Sequence, residues 1–328
     1  MSVRFGLLLD HQFPTDENLA DHLDEMIRFT ERARDLGFDA IFGIHHFLAT
    51  LQTPQPFQLL ARLIPHSGSM LLGTSVYVST LSHPVQIAEE IGTLDQLSRG
   101  RVVFGAGIGY RDEEFNSFGI DRATRGPRFV ESLEVIKGLL GNRPFDFSGK
   151  FFEVKHMQSS VKPFDNRKIP FWIGANAPET IQRAARIGDA WIASPNVKLN
   201  WAIGNLKAFM EIRKQMGIPI ANQVNPIARE LLISDSEETA EQYCKQFLKN
   251  EYLEYSKYDL DHFVEMFEEL IEKSFLVGTA PSVANKLEKF VDGGFNFFLF
   301  RTFWSGMPYE YAIETIERFS KDIMPKFK

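Results

Sequence analysis

The feature that most restricts this chain is a repeated alternation of short β-branched or aromatic runs with amphipathic stretches of helical spacing. The runs are "VRFGLLL", "DAIFGI", "MLLGTSVYV", "RVVFGAG", "PFWIGA", "DAWIAS", "IARELLIS" and "NFFLFR". Helical periodicity follows them at 19–36, 56–64, 84–97, 129–140, 179–187 and 199–216, in a long tract after the seventh run, and at 309–319. Apolar strands separated by helices imply a parallel sheet buried on both faces. Eight such units predict a closed (β/α)8 barrel, with a doubly wound sheet as the competing arrangement.

A length of 328 residues allows two average domains or one large barrel. With no linker, low-complexity segment or longer repeat, residues 1–328 read as a single barrel domain. No run approaches the roughly 18 apolar residues of a membrane span, and Asp10 interrupts the start too early for a signal peptide. A cytoplasmic protein with no membrane association is expected. The net charge of −7 comes without a basic stripe, which excludes nucleic acid as a main partner. The single cysteine, Cys244, sits at helical spacing and reads as core, so redox chemistry would come from a bound cofactor. The 30 phenylalanines point to aromatic pockets or interfaces.

Two tracts exceed what connections need. Residues 142–169, after the fourth helix, contain "FDFSGKFFEV" and predict a hairpin turning at Ser148 and Gly149. Residues 234–295, after the seventh strand, would lie on the face where barrel active sites form, as a lid or substrate wall.

That face sorts the motifs, because catalytic groups come from the carboxyl ends of barrel strands. "LSRGR" precedes the fourth strand and reads as structural. His45 and His46 follow the second strand. Neighbours in extended chain point to opposite sides, and no other histidine has metal-ligand spacing, so no metal site is expected. One imidazole should face the mouth, where it can act as acid or base near neutrality, and the other should pack. In "GAGIGYRDEEF", Gly105, Gly107 and Gly109 depart from the dinucleotide fingerprint, whose third glycine would stand at Tyr110. They allow either close backbone approach to a ring or phosphate, or a tight turn. "GANAPET" enters a helix with Pro178 in its first turn. Its free N–H groups, with Asn176 and Thr180, either bind an anion or cap the helix. Phe13, Phe47 and Tyr77 are candidates for an apolar substrate wall or for core.

Taken together, "HHF", "SHPVQIAEEIGTLDQLSRGRVVFGAGIGYRDEEFNSFG", "RFVESLEVIKGLL" and "IPFWIGANAPETIQRAARIGDAWI" resemble the bacterial luciferase-like flavin oxidoreductases, over nearly the whole chain. The resemblance implies a barrel that binds reduced flavin mononucleotide (FMN) as a co-substrate delivered by a separate flavin reductase. Dioxygen then gives a peroxyflavin that oxidises a small organic substrate. A deazaflavin coenzyme with hydride transfer is the alternative in other branches, and a non-catalytic flavin-binding partner subunit is a third. It also implies a homodimer, His45 as the catalytic base and His46 as a supporting residue. A non-proline cis peptide at Ser75–Val76 would lie beneath the ring. Flavin contacts would come from Gly107, from Gly109 and Tyr110 backbone, and from Asn176, Ala177 and Thr180, with Arg111 or Arg128 as a further phosphate ligand. Two departures stand out: Gly107 replaces the reactive cysteine of luciferase, and Ile108 replaces its phosphate-holding arginine. Light emission with an aldehyde therefore does not follow from the resemblance.

Overall fold

The computed structural model describes residues 2–9, 12–256 and 262–328. Its strands are β1 (Arg4–Leu9), β2 (Ala40–Gly43), β3 (Leu71–Thr74), β4 (Tyr77–Val78), β5 (Val102–Gly107), β6 (Phe145–Ser148), β7 (Glu153–Met157), β8 (Phe171–Gly174), β9 (Ala190–Ile192), β10 (Pro226–Ile233), β11 (Leu276–Gly278) and β12 (Phe297–Arg301). Its α-helices are α1 (Leu19–Asp35), α2 (Pro56–Leu63), α3 (Pro84–Ser98), α4 (Asp112–Ser117), α5 (Arg125–Leu139), α6 (Pro178–Ile187), α7 (Leu199–Gln215), α8 (Glu237–Tyr243), α9 (Lys249–Ser256), α10 (His262–Lys273), α11 (Ala280–Asp292) and α12 (Tyr309–Arg318).

The helices start where local chemistry stops the strand from continuing. Asn18 and Ser236 cap α1 and α8 through their side chains, and α2, α3 and α6 carry proline in the first turn, where a missing N–H costs no helix bond. The expected start of the fourth barrel helix at 129 moves back to Arg125, because Pro127 is likewise tolerated near a helix start.

The parallel sheet runs β11-β10-β12-β1-β2-β3-β5-β8-β9, and β4 prolongs β3 along β5. A bridge between Ala193, just after β9, and Ile227 of β10 closes the barrel, with Ala228 N donating to Ala193 O at 2.9 Å. The eight apolar runs are thus the eight staves of a (β/α)8 barrel. Inside it Leu8, Phe42, Val103, Trp172, Ile192, Phe297 and Leu299 form a buried apolar cluster in which Phe42 stacks on Trp172 at 5.3 Å. The larger cluster lies between strands and helices. The lumen is therefore packed rather than porous.

Residues 145–157 form the expected antiparallel hairpin, β6–β7. Ser148 still pairs with Glu153, so the reversal falls at 149–152, one step later than expected; Glu131 of α5 fixes it by accepting from Lys150 N (2.9 Å) and Phe151 N (2.8 Å). The tract 234–295 is only partly extra. β11 lies along the end of β10 and α11 packs against β11, so the added segment is α8 to α10, with residues 257–261 outside the described residues. Cys244 is buried there, in a π-helical turn (Cys244–Leu248). On the amino-terminal face, Arg101 donates to Ser98 O, Met70 O and Ser67 Oγ, so "LSRGR" is structural as expected. No helix among the described residues is long and apolar enough to cross a membrane.

Candidate active site

Continuing the inward alternation of the lumen strands toward their carboxyl ends reaches Ile44, Val76, Gly107, Gly174, Ser194, Glu230 and Arg301. One side of this ring is apolar and small, the other polar and charged. Val76 follows a cis peptide at Ser75–Val76, and its side chain takes the space that side chains at Gly107 and Gly174 would need. A Cβ on Gly107 would stand 2.5 Å from Val76 Cγ2, and one on Gly174 2.9 Å from Val76 Cγ1. Gly107 thus serves packing around Val76. Gly109 has φ of 74°, and a Cβ there would meet Val78 at 2.7 Å, so this glycine is set by its turn.

The two histidines divide as neighbours in extended chain must, one sealed and one more open. His45 is 1% exposed and stacks on Tyr77 at 4.0 Å. Its Nδ1 accepts the Val78 N–H at 3.1 Å and its Nε2 lies 3.0 Å from Gln55 Oε1, so both ring nitrogens are engaged. Burial, then the neighbouring His46, pushes its pKa down to about 4. A neutral ring with both nitrogens engaged holds the backbone around it in place. His46 is the more open ring, its side chain 15% exposed, with Nδ1 3.1 Å from Glu114 Oε1 and an edge toward Tyr110 at 5.7 Å. Its Nε2 has no partner among the described residues.

Two of the three aromatic wall candidates are core. Phe13 is 1% exposed and stacks on His22 at 3.9 Å, and Tyr77 lies between His45 and Phe57, its burial raising the phenol pKa to about 12. Phe47 is half-buried beside Phe118 at the rim.

At the start of α6, Thr180 Oγ1 donates to Ala177 O at 2.7 Å and accepts from Ala177 N at 3.1 Å. Ala177 and Thr180 therefore spend these donors on each other and shape the turn. Asn176 is exposed; its Oδ1 accepts from Ser194 Oγ at 2.9 Å, leaving its NH2 without a partner among the described residues. Of the two arginines named as phosphate ligands, Arg111 is 8% exposed and donates to Phe47 O and Leu48 O, so it clasps a loop instead. Arg128 is partly exposed, with Nε donating to Thr80 O at 3.1 Å and the guanidinium over Phe152 at 4.9 Å. Arg183 reaches across from α6 to the first turn of α5 at Gly126.

The polar side of the ring was missed in the sequence. Behind it, on the outer face of β10 over Phe290 of α11 at 4.2 Å, Arg229 is buried and its guanidinium donates to Ser194 O (2.9 Å), Pro195 O (3.0 Å) and Val197 O (3.1 Å), holding the β9–α7 loop and hence Ser194 against Asn176. Arg301 pairs with Glu230 at 3.2 Å and with Glu251 of α9, while Tyr252 Oη and Trp304 Nε1 donate to Glu230. The signal was there: Arg229, Glu230 and Arg301 interrupt apolar strands, and charge in a buried strand needs a partner.

A barrel whose carboxyl-face mouth combines a cleared apolar floor, an imidazole with an open nitrogen and cationic and amide donors at one rim belongs to the cofactor-binding (β/α)8 enzymes. Residues 3–296 match the luciferase-like monooxygenases, and the chain belongs to that family of flavin-dependent monooxygenases and oxidoreductases. A flavin-dependent trigonelline monooxygenase, oxygenase component, of Acinetobacter baylyi is 24% identical over 99% of this chain and 96% of its own. Among solved structures, a monooxygenase from Streptomyces bottropensis superposes with a TM-score of 0.87 at 21% identity, covering 99% of this chain and 100% of its own. The oxygenating constituent of 3,6-diketocamphane monooxygenase from Pseudomonas putida, in complex with FMN, gives 0.81 at 18% identity over 100% of this chain and 99% of its own. An F420-dependent secondary alcohol dehydrogenase gives 0.83 at 18% identity over 100% of both chains.

Proposed function

We propose that the protein is a monooxygenase that uses reduced FMN and dioxygen to oxidise a small organic substrate. The observation that carries this reading is the mouth itself: Gly107 and Gly174 clear a floor around Val76, and a donor-rich rim stands at the start of α6. Ser75, Val76, Gly107, Gly109 and Tyr110 would face the ring system. The donor set fits a phosphate. Asn176 offers its NH2, the first turn of α6 contributes its dipole, and Arg128 with Arg183 replaces the charge lost at Ile108, while Ala177 and Thr180 hold the turn. When bound, the reduced flavin supplies the electrons that activate dioxygen. The chain's part is to exclude water, orient the substrate and move protons. His45 holds the β4 backbone beside the floor through Val78 N. A separate reductase, a homodimer and a cytoplasmic setting complete the reading, the first supported by the relative that is an oxygenase component.

A deazaflavin-dependent hydride transfer is the second reading, favoured by Ile108, which removes the arginine that luciferase places there, and by the likeness to an F420-dependent enzyme. Anaerobic titration of the purified protein with reduced FMN and separately with reduced deazaflavin, followed by admission of dioxygen under absorbance detection, separates them. Binding of FMN and an oxygen-dependent spectral change support the monooxygenase. Binding of deazaflavin alone, inert to oxygen, overturns it.

A further inference from the structure

We propose that Glu114 is the positioning carboxylate of a base at His46, so that proton transfer runs through the second histidine of the pair. The proposal deepens the reading above and rests on the mouth being the reaction site. Glu114 lies in α4 and is wholly buried, although a carboxylate is among the costliest groups to bury. Its Oε1 accepts the Phe47 N–H at 2.8 Å and lies 3.1 Å from His46 Nδ1; Arg111 Nη1 stands 3.8 Å away. Its Oε2 has no hydrogen-bond partner among the described residues. A backbone N–H can only donate, so Oε1 is an acceptor there, and His46 Nδ1 must bring the proton. The tautomer is then Nδ1–H, with the lone pair on Nε2, the nitrogen left open beside Tyr110.

The neighbours reinforce this division. Arg111 donates to Phe47 O and Leu48 O, and Gln55 Nε2 donates to His46 O at 3.0 Å, so the backbone carrying His46 is gripped from the residues that precede α4 and α2. Gln55 also bonds His45 Nε2, which keeps the first ring closed. In the proposed step the Nε2 lone pair takes a proton from the bound substrate, and the imidazolium so formed keeps its Nδ1–H on Glu114. The proton later returns to product or solvent from Nε2. Nothing is oxidised or reduced in this transfer.

The tautomer is read by long-range 1H–15N correlation on histidine-labelled full-length protein at neutral pH, and needs no turnover. The expected wild-type pattern is Nδ1–H for His46. An Nε2–H pattern overturns the proposal whatever the cofactor proves to be. Glu114→Gln keeps the shape and the acceptor for Phe47 N while removing the charge. Its kcat should fall on the order of 100-fold, the usual worth of a positioned base, with KM and flavin affinity within twofold. Glu114→Asp should recover part of the loss, and the double variant with His46→Gln should be no worse than His46→Gln alone. An unchanged kcat in Glu114→Gln, or losses that simply add, overturns the role of Glu114. Failure of flavin to bind wild-type protein counts against the monooxygenase reading and leaves the tautomer test intact.

Discussion

At the scale of single residues, burial decides what an ionisable group does. His45 and His46 have the same side chain and adjacent positions, yet one is sealed by Val78, Gln55 and Tyr77 and the other faces Glu114 and Tyr110. The sealed ring makes stability depend on pH. Its folded pKa, lowered to about 4, lies below the value of about 6.5 expected in the unfolded chain. Below about pH 6.5 the unfolded chain takes up a proton that the folded chain accepts only near pH 4. The neutral ring's contribution is therefore complete above about 6.5 and lost as pH falls to about 4, an effect of about 3 kcal/mol. Urea unfolding at pH 7 and pH 4.5 should show a smaller loss of stability for His45→Gln than for wild type. Equal losses would mean that His45 is not the closed neutral ring described.

Elements meet at distances set by atoms that are absent. At Gly105 a Cβ would stand 1.7 Å from Thr74 O, a backbone atom of the neighbouring strand, while Thr74 Oγ1 donates back to Gly105 O at 2.7 Å. Gly105→Ala should force β3 and β5 apart and cost more than about 3 kcal/mol by chemical denaturation, beyond ordinary overpacking. Gly107→Ala meets only a Val76 methyl, which can turn away. That variant should fold at a milder cost of about 1–2 kcal/mol and lose flavin affinity, because the displaced methyl enters the floor. Similar stability for both variants would refute the distinction. On the opposite face Asp95 is buried, accepts from Val102 N and Phe164 N and pairs with Arg167 at 2.8 Å, tying α3 to β5 and to the segment before β8. Asp95→Ala should cost about 3–5 kcal/mol, since it strands the guanidinium, while flavin affinity of the folded protein stays unchanged. A drop in affinity with stability intact would place Asp95 in the wrong role.

Across the whole molecule, the added helices are joined to the barrel by charge. Glu230 of β10, Arg301 of β12 and Glu251 of α9 form one buried group that includes Tyr252, Trp304 and the Ser305 N–H, which donates to Glu251 at 2.8 Å. Arg301→Met should remove the cation that Glu230 and Glu251 share, lower stability by about 3–5 kcal/mol and speed amide exchange in α9. Adding Glu251→Gln should recover part of that loss by removing one of the two negative charges that Arg301 serves. Exchange in α9 that stays at the wild-type rate would show that the ion group does not hold this helix.

The eight strands, most helix starts, the structural nature of "LSRGR" and the hairpin after the fourth helix could be read from the chain alone. They depend on periodicity, proline, capping residues and the sign of local polarity, all of which act within a few positions. Which histidine is open could not be read, because Gln55, Val78, Tyr110 and Glu114 surround the pair from positions as far as 68 residues away. The same holds for Glu230, Arg301 and Glu251, whose burial together arises only when β10, β12 and α9 converge at one end of the barrel. Local pattern thus specifies the staves and their order. The barrel's closure brings distant polar groups into a medium that must pair them, and that pairing determines which nitrogen stays open and which arginine is already spoken for.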